Sequence, residues 1–298
     1  AETTTTLPHP PAAISNEDAV ALDAVVSALG VTVLPDNLRP SLKNAYDDMP
    51  ELYHNGCHQY YKTRVKTRCI FGDPAGTFTI AIWGDSHITQ WYHALEAIAV
   101  ANHWRIIPMT QGGCPFIDVE VYNKGAKGHL KQCQPWRDSA RQFMRDEHVD
   151  MVFLSQYYAE ADLGTRQPIT AEQWNSQLRA VLLGLQADGI VPVVVGDVAD
   201  PPNDVPTCLS RAQENDQMTE SRDDDPLTTS VVDTIRSVTT ELGVGFIDPT
   251  HWLCSDHRCP VVVGDILMYR GGHHLTTTAV LWLQPLLEQL IVPYVNGL

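Results

Sequence analysis

Residues 80–90 read "IAIWGDSHITQ". Four apolar residues, Ile80 to Trp83, run straight into Gly84-Asp85-Ser86-His87, and a helical pattern then begins. A short apolar run closed by turn-forming residues fits a strand buried on both faces, as in a parallel sheet covered by helices. The pattern repeats downstream. Apolar runs at 78–83, 105–109, 151–155, 190–196 and 244–247 are separated by helical stretches at 87–102, 135–148, 171–188 and 227–242, and 276–291 closes the chain with an amphipathic helix. Strands alternating with helices of this length predict an α/β domain with a parallel sheet and helices on both faces.

The chain has 298 residues, enough for one large domain or two modest ones, and a formal net charge of −16. Such an acidic chain repels phosphates, which argues against a nucleic-acid partner. The densest basic stretch, "KTRVKTR" at 62–68, reads as a solvated loop. No apolar run approaches the roughly 20 residues that cross a bilayer. Residues 1–13, "AETTTTLPHPPAA", read as an interdomain tether or processed start, so the chain is expected to be a soluble piece of something longer. A helix is expected over 15–30, with Ser15 as N-cap and Gly30 at its end. Residues 1–74 are therefore taken as a tether and N-terminal extension packing on a main domain of 75–298.

Six of the seven cysteines fall into near neighbours, Cys57/Cys69, Cys114/Cys133 and Cys254/Cys259, leaving Cys208 over. Local pairs in loops suit disulfides in an oxidising compartment. A zinc site on His251, Cys254, His257 and Cys259 is the rival, although the paired knuckle spacing of structural zinc sites is missing.

Active sites of open α/β sheets lie beyond the carboxyl ends of the strands. Ser86 stands at such an end, where a helix N-terminus offers N–H groups and partial positive charge to an oxyanion. A nucleophilic serine needs a base, and His273-His274-Leu275-Thr276 precedes the last helix, where a loop can fold back to the sheet edge. His87, next to Ser86, is expected to face along the helix and to be poorly placed as the base.

Four stretches carry a resemblance: "GDSH" at 84–87, "GGCP" at 112–115, "LCSDHRCP" at 253–260 and "YRGGHHLT" at 269–276. With the cysteines, they resemble the SGNH (GDSL-type) hydrolase superfamily, and most closely the extracytoplasmic SGNH domains fused to membrane O-acyltransferases. The resemblance implies a three-layer α/β/α, flavodoxin-like sandwich. It makes Ser86 the nucleophile and His274 the general base. Backbone N–H groups of Ser86 and of Gly113 or its neighbour Gly112 form the oxyanion hole, and Asp85 braces the nucleophile turn. No cofactor and no metal are implied.

Two positions depart from the superfamily. Its third block carries an asparagine as an oxyanion donor, whereas the third strand here ends "FLSQYYAE", leaving Ser155, Gln156 or a backbone N–H to substitute. Gln156 and Tyr157 are also the expected substrate contacts. The superfamily places aspartate three residues before the histidine, and here that position is Gly271. The expected outcomes are a Ser-His dyad oriented by a carbonyl or water, or another carboxylate, Asp265 or Asp248, reaching His274.

The function implied is transfer of an acyl group, through a Ser86 acyl-enzyme, to a hydroxyl of a cell-envelope glycan or glycolipid, with the donor relayed by a membrane acyltransferase domain. A carbohydrate esterase using the same residues and a catalytically weak glycan-binding domain are the alternatives. The implied location is extracytoplasmic, in the periplasm or at the outer face of the cytoplasmic membrane, as the C-terminal domain of a membrane protein.

Overall fold

A central sheet of seven strands orders the chain: β1 (His58–Gln59), β2 (Phe71–Gly72), β3 (Phe78–Gly84), β4 (Trp104–Gln111), β5 (Met151–Ser155), β6 (Val191–Val195) and β7 (Gly245–Ile247). The structure, a computed structural model, describes residues 16–31, 33–124, 127–211 and 221–298. The tether at 1–13 and the N-cap Ser15 lie outside them.

The strands run in the order β1-β4-β3-β5-β6-β7, all parallel, and β2 pairs antiparallel with the start of β4. The five long apolar strands thus take the flavodoxin-like order, in which the first strand sits between the second and the third. Alternation along β3 shows why it needs two covering layers. Ile80 and Ile82 enter one apolar cluster, Ala81 and Trp83 the other, and all four are fully buried. Side chains of that size each contribute about 1.5–3 kcal/mol when fully buried, alanine less.

On the first face lie α1 (Asn16–Ala28), α3 (Tyr92–Ala101) and α7 (Thr277–Asn296). On the second lie α4 (Cys133–Asp146), α5 (Ala171–Ala187) and α6 (Pro226–Leu242). The helix expected over 87–102 is two helices, because the chain breaks at Gln90-Trp91 between α2 (Ser86–Thr89) and α3. The extension is part of the sheet, since β1 and β2 lie end to end along the outer edge of β4. Among the described residues no helix is long and apolar enough to cross a membrane.

Disulfides join Cys57–Cys69, Cys114–Cys133 and Cys254–Cys259. The rival zinc site is overturned: both sulfurs near His251 are bonded to each other, and His257 pairs with Asp223 instead.

Candidate active site

The chain turns at the carboxyl end of β3, between β4 on one side and β5 on the other, where successive connections leave in opposite directions. A crevice opens at such a switch point. Gly84 makes the turn possible. Its φ is +150°, and a Cβ there would stand 2.0 Å from the Ser155 carbonyl oxygen of β5. Asp85 then caps α2, one carboxylate oxygen accepting the His87 N–H at 2.8 Å and the other the Tyr157 N–H at 2.9 Å. This buried side chain fastens the serine turn to the end of β5. Burial pushes its carboxyl up to about 6, against the opposing pull of His87 and the two N–H groups.

Ser86, half-buried, opens onto a cavity of about 610 Å³. Gly112, Gly113, Tyr157, His273 and His274 line the same cavity. Four of its walls come from the extension: Tyr53, His58, Tyr60 and Tyr61. Gly112 leaves room for them, since a Cβ there would meet the Tyr60 ring at 2.6 Å. The ribbon pairing Tyr122–Asn123 with Gly128–His129 adds Asn123, whose amide nitrogen would lie 3.1 Å from a Cβ on Gly113.

The His273-His274 loop is tied down by three bonds. Arg270 N–H donates to the His274 carbonyl at 2.9 Å, Leu275 N–H to the Gln90 side chain at 2.8 Å, and the Gln90 amide to the His87 carbonyl at 3.1 Å. The break between α2 and α3 thus serves to hold the histidine loop against the serine helix.

His87 does not face along the helix as expected. It is buried at the centre of an imidazole cluster, its ring 5.0 Å from that of His273 and 4.7 Å from that of His274. His87 Nδ1 meets Asp197 Oδ1 at 2.5 Å, and Nε2 meets His273 Nδ1 at 3.1 Å. Burial disfavours charge on His87, yet Asp197, Asp85 and Glu160 together hold its proton up to about 9. Burial, then the nearby His87 charge, brings His273 down to about 4 and His274 well below its ordinary value. His274 Nε2 is buried and has no hydrogen-bond partner. Each imidazole offers a nitrogen to a metal, but His87 Nε2 is already bonded to His273.

Neither carboxylate proposed in place of position 271 arrives. Asp265 pairs with Arg39 at 2.8 Å, and Asp248 pairs with Arg236 at 2.7 Å. Gln156 is fully buried, does not line the cavity, and accepts the Ile117 N–H at 3.2 Å. Ser155 Oγ is likewise buried, without a partner. Tyr157 does line the cavity, its ring stacked on His87 at 4.8 Å and its hydroxyl donating to Asp200 at 2.7 Å.

Asp197, Glu160 and Arg270 join the site although the sequence had not marked them as candidates. Asp197 carried one signal, an acidic residue directly after a buried strand. Glu160 lines the cavity with its carboxyl pushed up to about 8 by burial and by Asp85 and Asp197. Arg270 donates to the Tyr53 hydroxyl at 3.1 Å, and its Nε is buried without a partner.

A solved structure shares this arrangement of the chain. The periplasmic domain of a lipopolysaccharide acetyltransferase from Salmonella ser. Paratyphi A is similar with a TM-score of 0.65 and 16% identity, over 85% of this chain and 98% of that one. A carbohydrate acetylesterase from Sinorhizobium meliloti gives a TM-score of 0.45 at 10% identity, over 73% and 99% of the two chains. A GDSL-like lipase from Bacteroides thetaiotaomicron gives 0.44 at 10%, over 74% and 89%. No curated protein is significantly similar in sequence. The family described as "SGNH domain (fused to AT3 domains)" matches residues 56–289, so all seven strands of the sheet, the Ser86 turn and the histidine loop fall within it. The chain belongs to that family of SGNH domains.

Proposed function

We propose that this is an extracytoplasmic acyltransferase domain in which Ser86 carries the acyl group as a covalent ester. The observation that supports it most directly is the convergence of Ser86, Gly112, Gly113 and His274 on one cavity at the switch point of the sheet. His274 takes the serine proton as Ser86 Oγ attacks the acyl carbonyl. The Ser86 and Gly113 N–H groups hold the tetrahedral oxyanion, and Asn123 takes the place of the missing third donor. Asp85 holds the turn and does not itself transfer a proton. The acyl-enzyme then gives its acyl group, acetyl by default, to a hydroxyl of an envelope glycan or glycolipid.

Tyrosine walls suit a sugar ring, whose apolar face packs on aromatic rings. Three disulfides suit an oxidising, extracytoplasmic compartment. The family's fusion to AT3 domains supports a membrane partner that relays the donor.

Incubation with p-nitrophenyl acetate followed by intact-mass measurement tests the reading. A mass gain of one acetyl group is expected in the wild type, and neither Ser86→Ala nor His274→Ala should gain it. A well-folded wild type that binds glycan but is never labelled contradicts the acyl-enzyme. Acceptor glycans that become acetylated while hydrolysis falls establish the transferase; release of acetate alone, with every glycan untouched, assigns an esterase.

A further inference from the structure

The superfamily's aspartate is missing at 271, yet the site holds a buried carboxylate of its own. Asp197 follows β6 at the carboxyl edge of the sheet. It is fixed on three sides: Oδ1 meets His87 Nδ1 at 2.5 Å and accepts the Val198 N–H at 2.8 Å, and Oδ2 accepts the Tyr158 N–H at 3.1 Å. From His87 the path continues by the 3.1 Å bond to His273 Nδ1, and both rings pack against His274, at 4.7 and 4.3 Å between centroids.

We propose that Asp197, acting through His87 on His273 and His274, does the work of the aspartate that position 271 lacks. This rests on the acyl-enzyme reading above. In an ordinary triad the acid holds the imidazole in one tautomer and stabilises the imidazolium that forms. Here the same charge enters from the far side of the cluster, one histidine removed. Ser86 Oγ gives its proton to His274 while forming its bond to the acyl carbon of an ester donor. The donor's C–O bond then breaks, and its oxygen leaves with that proton. Asp197 and His87 are positioning residues, since neither touches the reacting atoms.

The groups facing His87 are the carboxylates of Asp85, Asp197 and Glu160, the rings of His273, His274 and Tyr157, and, acting on the two loop histidines, the Arg270 guanidinium. While His87 keeps its proton, Asp197 is already matched and a second imidazolium is repelled. Acylation should therefore rise with pH as that proton leaves.

The test measures acetyl-enzyme formation from p-nitrophenyl acetate across pH, by nitrophenolate burst and intact mass. The proteins are the wild type, Asp197→Asn, His87→Gln and Asp197→Asn/Gly271→Asp. An aspartate at 271 fits sterically, because a Cβ there would lie 3.7 Å from Asp204 Oδ2, an ordinary contact. Asp197→Asn and His87→Gln should each slow acylation roughly 10²- to 10⁴-fold. In Asp197→Asn the alkaline-going limb should also move to lower pH, because the carboxylate that holds the His87 proton is gone. Gly271→Asp should restore most of the rate to the Asp197→Asn protein, which no merely structural role of Asp197 predicts.

Should Asp197→Asn fail to fold, His87→Gln carries the comparison, since it leaves the backbone donors on Asp197 and Asp85 in place. Wild-type rates and an unchanged pH midpoint in both single variants overturn the proposal. So does a double variant with no recovery, or a wild type silenced by chelation, which would put a metal on the three imidazoles. A wild type that never acylates at Ser86 defeats the acyl-enzyme reading itself. One that acylates while the Asp197 variant is unaffected defeats the relay alone.

Discussion

Gly84 shows how much of this site rests on a missing side chain. Its φ of +150° is open to glycine, and the strand β5 backbone passes so close that a Cβ would sit inside the Ser155 carbonyl. Backbone strain and overpacking each cost about 1–3 kcal/mol. Gly84→Ala should therefore lower the stability measured by urea denaturation by about 2–4 kcal/mol. The turn that presents Ser86 would shift with it, so acetyl labelling should fall in whatever fraction stays folded. A variant as stable and as readily labelled as the wild type would refute this account of the turn. Gly112 has a milder version of the same duty, since its neighbour is the half-exposed ring of Tyr60, which can swing away.

At the scale of elements, the Cys114–Cys133 bridge joins the glycine loop to the start of α4. A loop of 19 residues closed by a disulfide contributes about 3 kcal/mol in the chain-entropy account. The Cys114→Ser/Cys133→Ser protein should lose about that much stability in denaturant titration, and its acylation should suffer more than its fold, because Gly113 borders Cys114. Equal acylation per folded molecule would separate the bridge from the site. The strands were legible in sequence for a simple reason. Each of the five parallel strands β3 to β7 is covered on both faces, so burial turns it into a mostly apolar run, and all five lie within two residues of the expected bounds. The serine turn was legible because its residues are contiguous. The rest of the cluster was not. Asp197 lies 110 residues from His87, and His273 lies 186 residues from it, so no local pattern joins them. The break at Gln90-Trp91 was hidden too, because both sides of it bury apolar residues at helical spacing. A tertiary bond sits at the break, the Gln90 side chain accepting the Leu275 N–H.

For the whole molecule, the crowded site makes stability depend on pH. Asp85 and Glu160 bind protons more tightly folded than unfolded, so their help is complete at low pH and is lost as pH rises through about 6 and about 8. His87 behaves alike, its contribution vanishing between its ordinary value of 6.5 and about 9. His58 and His273 work the other way. Folding excludes their protons down to about 3 and about 4, with His274 shifted in the same direction, so their contribution exists above 6.5 and is lost in acid. The three histidines dominate below about pH 6.5, and Glu160 with His87 dominates above it. Unfolding free energy should thus peak at about pH 6.5 and decline toward pH 9, as chemical denaturation at a series of pH values would show. A flat profile would mean that the cluster is more solvated than its packing indicates. One further consequence comes from β1. It is held to β4 by a register of two residues, His58 opposite Thr110 and Gln59 opposite Gln111, and next to it Tyr60 and Tyr61 form one wall of the cavity. Ahead of Cys57 the chain is fastened elsewhere, Arg39 to Asp265 and Asp48 to Thr278, and behind this wall the Cys57–Cys69 bridge closes the loop, so the wall is gripped from both ends. The extension is thus a clamped side of the cavity. A protein trimmed to residue 75 would keep Ser86 and His274 but stand open on that side.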